Sequence, residues 1–398
     1  MSSGKQLLLG RKRRQATCPI CTARATAGTG LAIDDRMRSL TCSRCGQGVF
    51  FENVACGACG AVLGFDPETL GFAAFEIDAN GQWRRVGRPG PALKPCANYA
   101  QEEVCNWMLA ADSPESLCRS CRTNQVIPSL DVAGNRQLWF LLEQAKRRLF
   151  YGLIALALPT PNKVDDPDHG LAFQFLEQAT PKERVLTGHD EGLITLNLEE
   201  ADDAKRESLR AHLHEPYRTL IGHFRHEIGH YYWDRLVRQS PWIDEYRQRF
   251  GDERADYAEA MRRHYASPAD GWPTSFISSY ASSHPWEDWA ECWAHYMHIQ
   301  DGLETASAWQ LRLRAGVAGA APVAPAPIDL AQASVREALV AQWLPVSRFI
   351  NAMDRGLGSR DSYPFVLVEP VLDKLDFIHK VISAAVAGRV AMRYAASS

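Results

Sequence analysis

The chain has 398 residues, enough for two or three domains and a sizeable core. Its 46% hydrophobic and 23% charged content is that of an ordinary soluble globular protein and excludes a disordered or fibrous chain. The net charge of −3 points to no partner class, although residues 1–125 carry 15 Lys/Arg against 11 Asp/Glu.

In chain order, residues 1–15 read as a disordered basic tail. The run Arg11, Lys12, Arg13, Arg14 in it is usually solvated, though such a run can touch nucleic acid or anionic lipid. Residues 16–125 form a cysteine-rich, zinc-ribbon-like β domain with short β-like runs, GQGVFFEN and GAVLGF. Ten of the eleven cysteines lie before residue 122, and eight of them form four C-x-x-C pairs. Such crowding in a reducing cytoplasm argues for thiolate metal ligands, not disulfides. Cys42, Cys45, Cys56 and Cys59 have the spacing of a four-thiolate structural zinc. Cys96, Cys105, Cys118 and Cys121 form a second, less regular set. Cys18 and Cys21 are left over; they could compete for the first site, bind nothing or be redox-active. A metal in this region substitutes for a large core. Zinc ribbons dock proteins or nucleic acid. The modest basic excess, without aromatic–basic interleaving, favours a protein partner.

From Arg136 the apolar spacing turns helical (RQLWFLLEQAKRRLFYGLIALAL). GLITLNLEEAD, 192–202, alternates as a strand. The stretch from Ala204 to Ser240 reads as helices interrupted near Pro216, and GDERADYAEAMRRHYA as another helix. HPWEDWAECWAHYMHIQDG starts a helix at Pro285 and ends it at Gly302. Residues 136–314 are taken as a mostly helical catalytic domain. Residues 315–329 are an Ala/Pro-rich linker or loop. Residues 330–398 are a helical region, broken by GLGSRDSYPF, that packs on the catalytic domain. The fold class is α+β. The longest apolar run, Leu149–Pro159, is too short to span a bilayer. The tract Leu7–Gly10 is followed by no signal-peptide pattern, so a cytoplasmic protein is expected.

The chemistry concentrates in FRHEIGHYYWD, 224–234. His226 and His230 are one helical turn apart, so both imidazoles reach one metal. Glu227 beside them can take a proton from a metal-bound water. A catalytic zinc needs a third protein ligand, and a third histidine is absent at 233 and 236–237. The helix WEDWAECWAHY offers Glu287 and Glu291 on one face. One carboxylate can bind zinc while the other fixes a ligating histidine. Asp288 is the rival ligand. Cys292 reads as a packed core thiol.

HEIGH followed by a downstream E-x-x-x-E helix resembles the gluzincin metallopeptidases. That resemblance implies Glu287 as third ligand and Glu291 as its supporting carboxylate. Lethal-factor-like gluzincins carry a tyrosine seven residues before the ligand glutamate, which Tyr280 matches here. Its phenol would stabilise an oxyanion or protonate the leaving amine. CSRCGQGVFFENVACGACGAVLGF, EPYRTLIGHFRHEIGHYYW, SSYASSHPWEDWAECWAHY and SYPFVL, with shorter stretches, are similar to bacterial zinc-binding metallopeptidases with an N-terminal zinc ribbon. The resemblance implies a zincin-like hydrolase, with GLITLNL as the edge strand that holds an extended peptide, as in other zincins; a peptide or protein substrate is expected. Such a hydrolase needs one catalytic zinc and one or two structural ones. Two other functions fit the letters: an adaptor with a vestigial protease fold, and a nucleic-acid-associated zinc protein. An intact Glu227 speaks against the first, since a pure binding site needs no base.

Overall fold

A computed structural model describes residues 40–178, 185, 187–212, 219–267, 270–314 and 322–396. The basic tail, Cys18/Cys21 and residues 315–321 of the expected linker lie outside the described residues. The chain from Met37 onward forms one compact unit.

The cysteine-rich part carries a three-stranded antiparallel sheet of β1 (Val62–Asp66), β2 (Gly71–Ile77) and β3 (Trp83–Val86). Beside it are a two-stranded sheet, β4 (Leu93–Pro95) with β5 (Met108–Ala110), and the single turn α1 (Ala97–Ala100). GAVLGF supplies β1, as expected of a β-like run. GQGVFFEN makes only an isolated bridge, Gly48 to Thr41, because its backbone turns to close the first cysteine loop.

A mixed sheet follows, in the order β6-β7-β9-β8. It is built from β6 (Asn124–Val126), β7 (Ala172–Leu176), β8 (Gly188–Asp190) and β9 (Leu193–Asn197). β9 pairs on both sides, parallel to β7 and antiparallel to β8. GLITLNL is therefore an interior strand, and the edge on its side of the sheet belongs to the three residues of β8. β6 leaves the cysteine-rich part and enters this sheet beside β7.

The helices are α2 (Asn135–Ala155), α3 (Asp203–His212), α4 (Leu220–Leu236), α5 (Ile243–Phe250), α6 (Tyr257–Ala266), α7 (Pro285–Ala308), α8 (Leu344–Gly356) and α9 (Glu369–Ala396). α7 does not stop at Gly302. A Cβ there would lie 2.4 Å from the Trp343 ring, so this glycine admits a close neighbour rather than ending the helix. Residues 251–256 of the expected GDERAD helix form a loop, clipped by Arg247–Glu253 and Arg254–Asp252 ion pairs.

One hydrophobic cluster runs from Phe51, Phe65 and Trp107 through Trp139 and Phe150 to Trp289, Trp293 and Phe377. The cysteine-rich part and the helices thus share a core. Tyr151 of α2 packs edge-on to Phe51, with centroids 5.4 Å apart, and Arg148 lies 4.9 Å over the same ring. The C-terminal helices pack on α7. Lys374 pairs with buried Asp288 at 2.6 Å, and the Tyr296 hydroxyl meets His379 at 3.0 Å. Among the described residues, no helix is long and apolar enough to cross a membrane.

Candidate metal centre

The centre lies where α4 and α7 meet. Thr219 caps α4 by accepting from the Gly222 N–H at 3.1 Å. His284 caps α7 by accepting from the Trp286 N–H at 3.1 Å, with Pro285 in the first turn where its missing N–H costs nothing. The two helices touch at Gly229. A Cβ on it would lie 3.0 Å from Ala290 Cα and 3.1 Å from Trp293 Cβ. The Gly229 carbonyl also accepts from the indole N–H of buried Trp289 at 2.8 Å. This close approach delivers the α7 carboxylates to the α4 histidines.

His226, His230 and Glu287 come together with their ligand atoms within 4.8 Å of one another, and all three are buried. His226 Nε2 lies 3.0 Å from Glu287 Oε2 and 3.1 Å from His230 Nε2. Glu291 Oε1 faces His226 Nδ1 at 2.8 Å, and Ser278 donates to its other oxygen at 2.7 Å. With Nδ1 donating to Glu291, the Nε2 lone pair of His226 points at an anionic oxygen and another imidazole. Lone pairs aimed at one point repel unless a cation sits among them, so this donor set fits a metal. Burial disfavours the charged form of His226, but Glu287 and Glu291 outweigh it and hold its pKa well above the usual value, so the site favours positive charge at Nε2, and a bound metal ion would take the place of that proton. Asp288, the rival ligand, is outside this group and faces Lys374 instead.

Glu227 is buried beside His226, His230 and Glu287. Burial would raise its pKa, but the hydrogen bond from His223 and the nearby histidines win and lower it. His223 Nε2 lies 3.3 Å from Glu227 Oε1, while its Nδ1 is bonded to Glu200 just after β9. Burial opposes the charge on His223, yet the two carboxylates raise its pKa to about 9. Tyr280 places its ring 5.8 Å from that of His226 and is half-buried. Tyr257, first residue of α6, donates to Glu287 Oε1 at 2.9 Å. His223, Glu200 and Tyr257 escaped the sequence reading. The four-residue step from His223 to Glu227 was a usable signal, because it puts both on one helix face.

A cleft of about 500 Å³ adjoins the centre, lined by His189 and Asp190 of β8 together with Tyr257, His284 and Trp286. The Trp286 ring covers His230 at 3.8 Å between centroids.

In each cysteine tetrad, neighbouring sulfurs are 3.7–3.8 Å apart: Cys42–Cys59 and Cys45–Cys56 in one, Cys105–Cys118 and Cys105–Cys121 in the other. A tetrahedron with Zn–S bonds of about 2.3 Å has edges of about 3.8 Å, whereas a disulfide needs about 2 Å. Cys96 belongs to the second group, and its sulfur accepts the Cys118 N–H at 3.3 Å. Burial pushes the Cys118 thiol pKa well up, so a thiolate there needs a cation.

Residues 135–381 match the family described as "Putative zinc-binding metallo-peptidase", and residues 39–132 match a zinc-ribbon domain. The chain belongs to that metallopeptidase family. An uncharacterised protein of Mycobacterium tuberculosis (strain H37Rv) is 43% identical over 348 residues, covering 87% of this chain and 95% of the relative. An uncharacterised protein of Mycobacterium bovis matches to the same extent. No solved structure matches the chain. Family and cysteine geometry agree on a zinc-binding chain with an N-terminal ribbon.

Proposed function

We propose that the protein is a zinc-dependent peptidase of the gluzincin kind that hydrolyses peptide bonds with Glu227 as general base. The observation that carries this reading is the convergence of His226, His230 and Glu287 beside buried Glu227. Those three residues would hold a zinc ion, which would supply Lewis acidity towards a water and a carbonyl. Glu227 takes the proton as the water oxygen attacks the peptide carbon, and returns it to the nitrogen as the C–N bond breaks. Glu291 holds His226 in the tautomer that keeps its Nε2 lone pair free. Tyr280 would donate to the oxyanion. The peptide would lie along β8, whose outer edge offers backbone groups for strand addition next to the cleft.

The two cysteine tetrads are read as structural zinc sites, and the ribbon surface as a dock for a protein partner. None of the described cysteines forms a disulfide, in keeping with a reducing, cytoplasmic setting. Metal analysis tests the assignment. Three zinc ions per chain are expected, one per ligand group, with His226→Ala losing one and keeping two. A His226→Ala protein that retains all the zinc of the wild type would contradict it.

A further inference from the structure

The two oxygens of Glu287 have different neighbours. Oε2 faces the imidazoles, 3.0 Å from His226 Nε2 and 3.5 Å from His230 Nε2. Oε1 points the other way and accepts from the Tyr257 hydroxyl at 2.9 Å. A carboxylate free to rotate can present both oxygens to a metal and fill two coordination positions. One whose outer oxygen is tied presents one. A hydrolytic zinc site with three protein ligands needs the fourth position for water.

Tyr257 is well placed to hold this bond. It opens α6, capped by Asp256, whose side chain accepts from the Glu259 N–H at 2.9 Å. The loop before it is pinned by His284, whose Nε2 lies 3.1 Å from the Ala255 carbonyl oxygen. The Tyr257 ring packs edge-on to His284 and Trp286, with centroids 5.3 and 6.2 Å away. Both rings belong to the start of α7, the helix that carries Glu287. α6 and α7 are thus keyed together around one carboxylate oxygen. A phenol donates throughout the neutral range, so the bond does not depend on the protonation state of Tyr257 near pH 7.

We propose that Tyr257 is a positioning residue that holds Glu287 as a one-oxygen ligand and so keeps a coordination position open for water. The inference rests on the metal centre proposed above. Tyr257 does not bind the metal itself. It is also partly exposed at the cleft wall, so a substrate entering the cleft passes the residue that sets the ligand geometry.

Tyr257→Phe tests this in the full-length chain, since phenylalanine keeps the ring packing and removes only the hydroxyl. Two measurements are made on the chelatable ion. Competition with a chelator should show its affinity weakened by about 10–100-fold, the usual effect of losing a partner of a ligand. Cobalt put in its place should show a weaker visible absorption band, as expected when the carboxylate binds through both oxygens and the coordination number rises. The cysteine-bound ions should stay in place and report an intact fold. Unchanged chelator competition together with an unchanged cobalt spectrum would overturn the inference. A wild-type protein that takes up no chelatable zinc would overturn the metal centre itself, a different result.

Discussion

Gly229→Val probes the contact that assembles the centre. The first added carbon would fall 3.0 Å from Ala290 Cα and 3.1 Å from Trp293 Cβ. Ala290 is backbone on a packed helix, and Trp293 is buried and stacked on Tyr232 at 4.9 Å. Neither side can yield unless α4 and α7 separate. Over-packing of this kind costs about 1–3 kcal/mol. Valine recovers only a few tenths of a kcal/mol of helix propensity over glycine, roughly the gap between the two on helix scales. The net expectation is a loss of about 1–3 kcal/mol, read as a lower urea midpoint. The metal centre should suffer more. A few tenths of an ångström of separation already exceeds the roughly 0.2 Å tolerance of a zinc ligand distance. Chelator competition should therefore show the zinc at His226, His230 and Glu287 bound at least about tenfold more weakly, with the cysteine-bound zinc retained. A variant with the wild-type midpoint and wild-type zinc affinity would refute the claim that Gly229 sets the helix approach.

Other outcomes follow from the shared core and the buried charges. Cys118→Ser should abolish zinc at the second tetrad and lower the unfolding midpoint of the whole chain in one transition, followed by tryptophan fluorescence, because Trp107 and Trp289 lie in one cluster. A ribbon that unfolds alone while the remainder keeps its midpoint would contradict this. Lys374→Met leaves Asp288 buried without its partner and should cost about 3–5 kcal/mol in denaturant unfolding. It should leave zinc affinity near wild type, since Asp288 faces away from the ligands. His223 has its pKa raised from 6.5 to about 9, a difference worth on the order of 3 kcal/mol. A raised pKa stabilises the fold fully below pH 6.5, and that contribution disappears as pH rises through about 9. His223→Gln should therefore be less stable than wild type at pH 6, with the gap narrowing by pH 9.5. An unchanged gap would contradict the ionised Glu200–His223–Glu227 chain.

The letters carried the parts of the site that depend on local spacing. The four-residue step from His226 to His230, the same step from Glu287 to Glu291, and the C-x-x-C pairs each place side chains together through one helix turn or one tight loop. Residues joined only by tertiary approach were not legible. Tyr257 reaches Glu287 across 30 residues, and Glu200 reaches His223 across 23. Nothing in either local pattern marks the pairing. β8 is three residues, Gly188–Asp190, too short to show alternation. β9, with its clear alternation, therefore reads as the edge instead. The end of the cysteine cluster suggests a boundary after residue 125, but β6 spans it and joins the mixed sheet. Composition changes there while hydrogen bonding and the core continue. Gly302 misled because a glycine that admits a neighbouring indole reads the same as one that ends a helix.

The most direct measurement is cleavage of a mixed peptide library, followed by mass spectrometry, with zinc-loaded wild type and with Glu227→Gln. The account predicts new peptide termini with wild type. With Glu227→Gln it predicts cleavage slower by about 100-fold or more, the scale of a lost general base, at unchanged zinc content. Equal cleavage by the two proteins would contradict Glu227 as the base, and a zinc-loaded wild type that cuts nothing would contradict the peptidase reading.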